Sequence, residues 1–227
     1  MCKTMLNNVI TVDGPSGVGK GTLTLWLAKK LNYNILDSGS IYRLASLQVL
    51  NTNVNYKNID DVLRVCEEME INYNASSIVK VFLNKVDVTV AIRDEKVATI
   101  ASEISAYSEL RNLLLDRQRS FLSSRGLIAD GRDMGTVVFP GAKYKFFLDA
   151  DPKVRAKRRF NQLTSAMRNS SVSYDEIYYQ LVERDFRDRN RDISPLVPAD
   201  DAIIIDTTNK KIAQVQDIVM RYLSHES

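Results

Sequence analysis

The sequence predicts an α/β fold: a five-stranded parallel sheet between helices, with a small antiparallel lobe inserted. Strand-like apolar runs alternate with helical patterns along most of the chain. Those runs are apolar throughout, as expected for parallel strands covered on both faces. One segment, about 60–92, breaks the alternation with short strands close in sequence. At 227 residues the chain accommodates one α/β domain with an appended lobe and is too short for two full domains.

In chain order, Asn8–Asp13 reads as a buried strand and 19–31 as an amphipathic helix through Leu23, Leu25, Trp26, Leu27 and Leu31. Ile35-Leu36 is a short strand running into Asp37, followed by a helical pattern at about 39–50. In the insertion, 69–73, Val79–Asn84 and Asp87–Val90 read as strands, the last two joined at Asn84-Lys85-Val86. Two helical patterns follow at about 94–123. Leu127–Asp130, Lys145–Asp149 and Ala202–Asp206 complete the sheet. Asp151-Pro152 marks a helix start, with a cap followed by proline at the first helical position. Ser173-Tyr174-Asp175-Glu176 is a capping box opening a helix of about 174–191. The polar link Arg168-Asn169-Ser170-Ser171 is a candidate hinge between these two helices.

Composition is that of an ordinary globular protein, which excludes disordered and collagen-like classes. No apolar run approaches the roughly 18 residues that span a bilayer, and the N-terminus lacks a leader pattern, so a cytoplasmic protein is expected. Cys2 and Cys66 are too few for a disulfide framework or zinc site. The single histidine, His225, lies near the end, where fraying is expected, which argues against imidazole catalysis. The net charge of +3 is small, but residues 152–191 hold ten Lys or Arg against five Asp or Glu.

The strongest motif follows the first strand: Gly14-Pro15-Ser16-Gly17-Val18-Gly19-Lys20-Gly21-Thr22. The spacing fits a phosphate-binding P-loop, in which small residues let backbone N–H groups reach phosphate oxygens and a lysine adds full charge. The residue after the lysine is Gly21, where a metal-binding hydroxyl usually stands, with Thr22 one place later. Direct metal ligation by the loop is therefore not expected.

Three further clusters lie beyond strand ends or on a helix. Asp37-Ser38-Gly39-Ser40-Ile41-Tyr42-Arg43 offers hydroxyls, a phenol and a guanidinium suited to a sugar phosphate. Asp130-Gly131-Arg132-Asp133-Met134-Gly135-Thr136 combines opposite charges with glycines that admit a close ligand. In Arg184–Arg191, helical spacing gathers Arg184, Asp188 and Arg191 within an arc of roughly 60°. Asp185 and Arg189 fall elsewhere, as an ordinary salt-bridge ladder would. Arg155, Arg158 and Arg159 share one face of the preceding helix, an arrangement that suits phosphate, although a solvated surface with i,i+4 pairs has the same pattern. Asp13 and Asp149 read as strand-end caps, Trp26, Tyr178 and Tyr179 as packing residues, and Cys66 as core.

These blocks together resemble the bacterial cytidylate (CMP) kinases. The matching stretches are Ile10 through Thr22, Leu36-Asp37-Ser38-Gly39 with Ile41-Tyr42-Arg43, Leu127 through Pro140, Glu183 through Arg191, and Ser194 through Pro198. They span nearly the whole chain, and the stretch from Leu127 to Pro140 is far more specific than the P-loop. The resemblance implies a single P-loop kinase domain with a core of about 1–59 and 126–227. The nucleoside-monophosphate-binding insertion would cover 60–92 with following helices to 125, and a helical lid 152–172. It implies transfer of a phosphoryl group from ATP, with Mg²⁺, to CMP or dCMP, by a monomer that binds neither nucleic acid nor membrane.

By the same resemblance, Gly14 to Thr22 hold the ATP phosphates and Lys20 spans donor and acceptor. Arg43 and Arg132 clamp the CMP phosphate. Tyr42, Arg184 and Asp188 hold the ribose, with Ser38 alongside. Ser102, Arg111 and Asp133 read the cytosine, supported by Arg191. Arg155, Arg158 and Arg159 sit on the lid over ATP, and with Lys20 and Arg132 form the catalytic set. A broader UMP/CMP kinase and a P-loop binding switch are the alternatives. Ser40 and Phe186 are minor departures from the family's pattern.

Overall fold

A computed structural model describes residues 6–75, 79–166 and 173–224. The first strand, β1 (Val9–Asp13), is buried at all five residues. It lies mid-sheet, parallel to β6 (Leu127–Gly131) on one side and β7 (Tyr144–Asp149) on the other. β2 (Asn34–Asp37) and β8 (Ile203–Asp206) form the two edges, giving the order β2-β6-β1-β7-β8 with every pairing parallel. From β1 the chain crosses to β2, whereas β6 leads over β1 to β7. The connections thus diverge at the carboxyl end of β1, where open α/β sheets bind ligands.

Helix α1 (Lys20–Leu31) leaves the loop after β1 and ends at Asn32, whose left-handed backbone (φ 56°) lets its N–H reach Ala28 O. Leu23 and Leu27 of α1 pack with Ile10, Val12, Phe146 and Leu148 of the sheet. Val215 and Val219 of α8 (Ile212–Ser224) close this core. Their spacing of four places both on one face. This helix is legible as an apolar repeat through Ile212, Val215, Ile218, Val219 and Leu223, but it is absent from the expectations above.

The sheet is not covered on both faces at its edges. Ile204 of β8 is 64% exposed, and Asn34 and Asp37 of β2 are exposed too. The uniformly apolar Ile203-Ile204-Ile205 run belongs to an edge strand, in which only Ile205 is fully buried.

Two compact units are distinguished, Met1–Asp37 with Arg119–Ser227, and Ser38–Gln118. In the second, α2 (Ser38–Asn51) packs on α4 (Glu95–Ile104), and Ser46 Oγ donates to Val97 O at 2.9 Å. α3 (Ile59–Glu67) begins where the Asn58 side chain accepts the Asp60 N–H, with Asp60 and Asp61 in its first turn. It buries Val62, Val65 and Cys66, where strands alone were expected. Cys66 is core, and burial pushes its thiol up to about 12.

The antiparallel sheet is β3 (Ile71–Ala75), β4 (Val79–Leu83) and β5 (Val86–Asp87), with Asn84 and Lys85 both at positive φ in the turn. β5 is shorter than Asp87–Val90. Val88 N–H still donates to Val81 O, but the Thr89 hydroxyl accepts the Val81 N–H and Asp87 Oδ1 accepts the Thr89 N–H, so the ladder stops there and the chain turns into a 3₁₀ helix at Ala91–Arg93. α5 (Ser108–Arg119) follows.

In the first unit, α6 (Pro152–Ala166) and α7 (Tyr174–Asn190) start as expected. Asp151 Oδ1 accepts the Lys153 N–H, and Ser173 with Glu176 completes the capping box. Ala156 packs with Ile177 and Leu181, flanked by Phe160, Leu163, Tyr174 and Tyr178. Tyr179 is 70% exposed, contrary to a packing role, because it lies outside the Ile177–Leu181 face. Trp26 and Tyr178 do pack. The hinge at 168–172, Cys2 and His225 lie outside the described residues.

Candidate active site

At two glycines of the phosphate loop, Gly14 and Gly17, a side chain would press on neighbouring atoms. Gly14 has φ 142°, and a Cβ there would lie 2.1 Å from Leu148 O. Gly17, at φ 81°, would press a Cβ to 3.1 Å from that of Arg155. Gly19 occupies the N-cap of α1 with no side-chain cap, so first-turn amides and the helix's positive end are available to a phosphate.

Lys20, buried in the first turn of α1, donates from Nζ to Gly14 O at 2.9 Å and Pro15 O at 3.0 Å. Its ammonium lies 3.7 Å from Asp130 Oδ1 at the end of β6. Burial, and then the nearby Arg132 charge, lower its pKa to about 8 against the pull of Asp130 and Asp13. Burial pushes Asp130 up to about 6, opposed by Lys20. The lysine is thus a cation lying against the loop that a phosphate would occupy.

Arg132, the next residue after β6, links three elements. Its Nε donates to Asp188 Oδ2 on α7 at 2.9 Å, and an Nη donates to the Ser16 hydroxyl at 2.7 Å. Burial disfavours its charge, but Asp188, with Asp130 and Asp185 behind it, outweighs that and raises its pKa. Burial alone would raise Asp188, but Arg132, Arg184 and Arg191 together hold it below the ordinary carboxylate range. Arg191 Nη1 is 4.0 Å from Asp188 Oδ1. The predicted arc of Arg184, Asp188 and Arg191 is therefore an electrostatic unit, with Arg132 as its closest member. Asp133 follows Arg132, and its side chain is buried.

The three arginines of α6 diverge. Arg155 is only 2% exposed and donates to Ala150 O, Ser16 O and Asp185 Oδ2. It fastens the back of the phosphate loop to α6 and α7. Asp185 is correspondingly buried, not part of a surface ladder, because the Ile177–Leu181 face draws this side of α7 onto α6. Arg189 instead pairs with Asp149 at 3.0 Å. Arg158 donates to Thr207 O and to the Thr207 hydroxyl, which in turn donates to Val18 O. A cavity of about 200 Å³ lies here, lined by Gly17, Gly19, Thr22, Arg158, Thr207 and Lys210. Thr207 and Lys210 are missing from the sequence reading; the signal was Thr207's place directly beyond β8. Arg159, half-buried, is on the same helix.

Asp149 is an end cap, accepting its neighbour Ala150 N–H as well as Arg189. Asp13 is something else. Its two oxygens accept the N–H groups of Met134 and Gly135, more than a hundred residues along the chain.

The second unit carries the remaining residues. Ser38 Oγ donates to Gln118 Oε1 at 2.7 Å. Arg111 lies over the Tyr42 ring, 5.4 Å from its centroid, and donates to Ser105 O at 3.0 Å. The Ser105 hydroxyl donates to Ser102 O. Ser38, Tyr42, Ser102 and Arg111 are all buried, and Arg43 is half-buried on α2. Gln118 is a further polar member that sequence reasoning missed, since an isolated glutamine on a helix carries no motif.

Comparison with known proteins identifies the family. The family model described as Cytidylate kinase matches residues 10–225. A cytidylate kinase of Vibrio cholerae is 45% identical over 216 residues, covering 95% of each chain. One of Shewanella pealeana is 44% identical over 218 residues, covering 95% of this chain and 94% of its own. Cytidylate kinase 1 of Haemophilus influenzae is 45% identical over 216 residues, covering 95% and 93%. With a phosphate loop at the carboxyl end of the central strand and a match over nearly its full length, the chain belongs to the cytidylate kinase family.

Proposed function

We propose that the protein transfers the γ-phosphoryl group of ATP to CMP or dCMP, giving ADP and CDP or dCDP. The observation that carries the mechanism is the meeting at Ser16, where the Arg132 guanidinium bonds a hydroxyl of the phosphate loop. Acceptor clamp and donor loop share that contact. Phosphoryl transfer rests on positioning and charge neutralisation, which suits a site of arginines and a lysine without histidine.

In this reading Gly14 to Thr22 hold the ATP phosphates, and Lys20 leaves its carbonyl contacts to span the transferring group. Arg132 and Arg43 hold the CMP phosphate. Tyr42, Arg184 and Asp188 take the ribose, with Ser38 beside them. Asp133 accepts from the cytosine amine, with Ser102, Arg111 and Arg191 completing the readout. Arg158 and Arg159 belong to a lid over 152–172, and 60–92 with the helices to 125 forms the acceptor-side lobe. Arg155, with three donors committed to protein, serves as the anchor of that lid. The enzyme acts as a cytoplasmic monomer on small-molecule substrates; no described helix is long and apolar enough to cross a membrane.

Among the described residues no three His, Cys, Asp or Glu side chains converge as a metal cage. Mg²⁺ would be held by the substrate phosphates and its own waters, with Asp130 the carboxylate beside Lys20. Bound in that way, Mg²⁺ would neutralise phosphate charge during transfer.

Asp133→Asn tests the specificity. An amide presents a donor as well as an acceptor, so CMP should lose its advantage over UMP by about tenfold or more in kcat/KM. An unchanged CMP:UMP ratio would contradict the base-reading role. The lysine supplies a second check. Because Lys20 titrates near 8 in the free protein, kcat/KM should fall as pH rises through that value, where the ammonium is lost. A Lys20→Arg variant should lose this alkaline limb, even at reduced activity.

A further inference from the structure

Asp13 ends β1 immediately before the phosphate loop, and its carboxyl oxygens are bonded to amides of a different element. It is 5% exposed. Oδ1 accepts the Met134 N–H at 2.9 Å and Oδ2 accepts the Gly135 N–H at 2.8 Å. These two amides open a π-helical turn, Met134–Val138, which is closed by Val137 and Val138 N–H groups donating to Asp133 O.

Arg132 and Asp133 immediately precede that turn. The direction in which the chain leaves β6 therefore sets where both side chains lie. Packing reinforces the grip. A Cβ on Gly135 would approach Thr11 Oγ1 to 3.0 Å, Lys145 Cδ to 3.2 Å and Asp13 Oδ2 to 3.4 Å. The turn is pressed against both β1 and β7, and a glycine is what permits the approach.

We propose that Asp13 is a positioning residue for the acceptor nucleotide, fixing Arg132 and Asp133 through the Met134 and Gly135 amides. The proposal rests on the reading of Arg132 and Asp133 as CMP contacts. Asp13 touches neither substrate. Burial raises the Asp13 carboxyl to about 7, and the Gly135 and Met134 N–H groups work against that rise; the ionised form presents one acceptor to each of the two, whereas a carboxamide turns a donor toward one of them.

The test is steady-state kinetics of Asp13→Asn, which keeps the side-chain volume and removes one of the two bonds. Loss of one of the two hydrogen bonds should raise the KM for CMP about tenfold or more, with the KM for ATP within about twofold. Hydrogen exchange at Met134 and Gly135 should quicken in the same variant. Gly135→Ala displaces the turn while leaving Asp13 intact and should give the same selective rise. An unchanged KM for CMP, an equal rise for both substrates, or failure of both variants to fold assigns Asp13 to architecture alone and overturns the proposal. Arg132→Ala is measured alongside. If it leaves the KM for CMP unchanged, the assignment of the CMP contacts fails. If it raises that KM while Asp13→Asn does not, only the positioning role fails.

Discussion

Lys20→Ala is expected to lower kcat/KM by on the order of 10³-fold or more, about 4 kcal/mol of transition-state stabilisation. The side chain is buried and its Nζ is held by Gly14 O, Pro15 O and the nearby Asp130. A charge already desolvated before substrate arrives interacts strongly with a phosphoryl group, because water does not screen it. The two carbonyl bonds are neutral acceptors that a phosphate oxygen replaces with a stronger, charge-assisted one. Removing the lysine also leaves Asp130 without its nearest cation, so its carboxyl should titrate higher still. Steady-state kinetics with a thermal melt of the same sample separates the effects. Activity within tenfold of wild type in a folded variant would remove Lys20 from the chemistry.

Arg155→Ala is expected to destabilise the fold by about 3–5 kcal/mol, the cost of leaving a buried charge without its partner. Arg155 is fully buried, and Asp185 nearly so. Asp185 Oδ1 has no hydrogen-bond partner among the described residues, so Arg155 carries the solvation of that carboxylate through Oδ2. The Arg155 bond to Ser16 O adds a second consequence, a loosened phosphate loop and a higher KM for ATP. Urea unfolding measures the first. The double variant Arg155→Ala with Asp185→Ala should be less destabilised than the sum of the singles, since no isolated charge remains. Costs below about 1 kcal/mol for each single variant would mean that the pair is solvated after all.

Most of the central sheet was legible because a parallel strand writes its burial as an apolar run, as in Val9–Asp13 and Tyr144–Asp149. The caps of α6 and α7 were legible because a cap is a local hydrogen bond between residues three apart or fewer. Edges were not: Ile204 and Ile205 are the same residue type, and only the neighbouring strand and helix decide which is covered. The end of β5 depended on Thr89 reaching back to Val81, a side-chain choice that β-propensity does not encode.

The candidate site shows the same division. The phosphate loop and the run from Asp130 to Thr136 announce themselves by spacing. Arg155 and Arg158 look alike on a helical wheel, but the Asp185 beneath one and the Thr207 beside the other give them different work. Asp13 read as a cap because its partners are distant in the chain, and no local pattern points to a carboxyl holding two amides of a turn beyond another strand.

The most direct measurement is ADP formation from Mg²⁺-ATP with CMP, dCMP, UMP, AMP, GMP or no acceptor. Release confined to CMP and dCMP, and lost in Lys20→Ala, is the predicted result. Turnover of UMP or AMP equal to that of CMP, or ADP release without an acceptor, would contradict it.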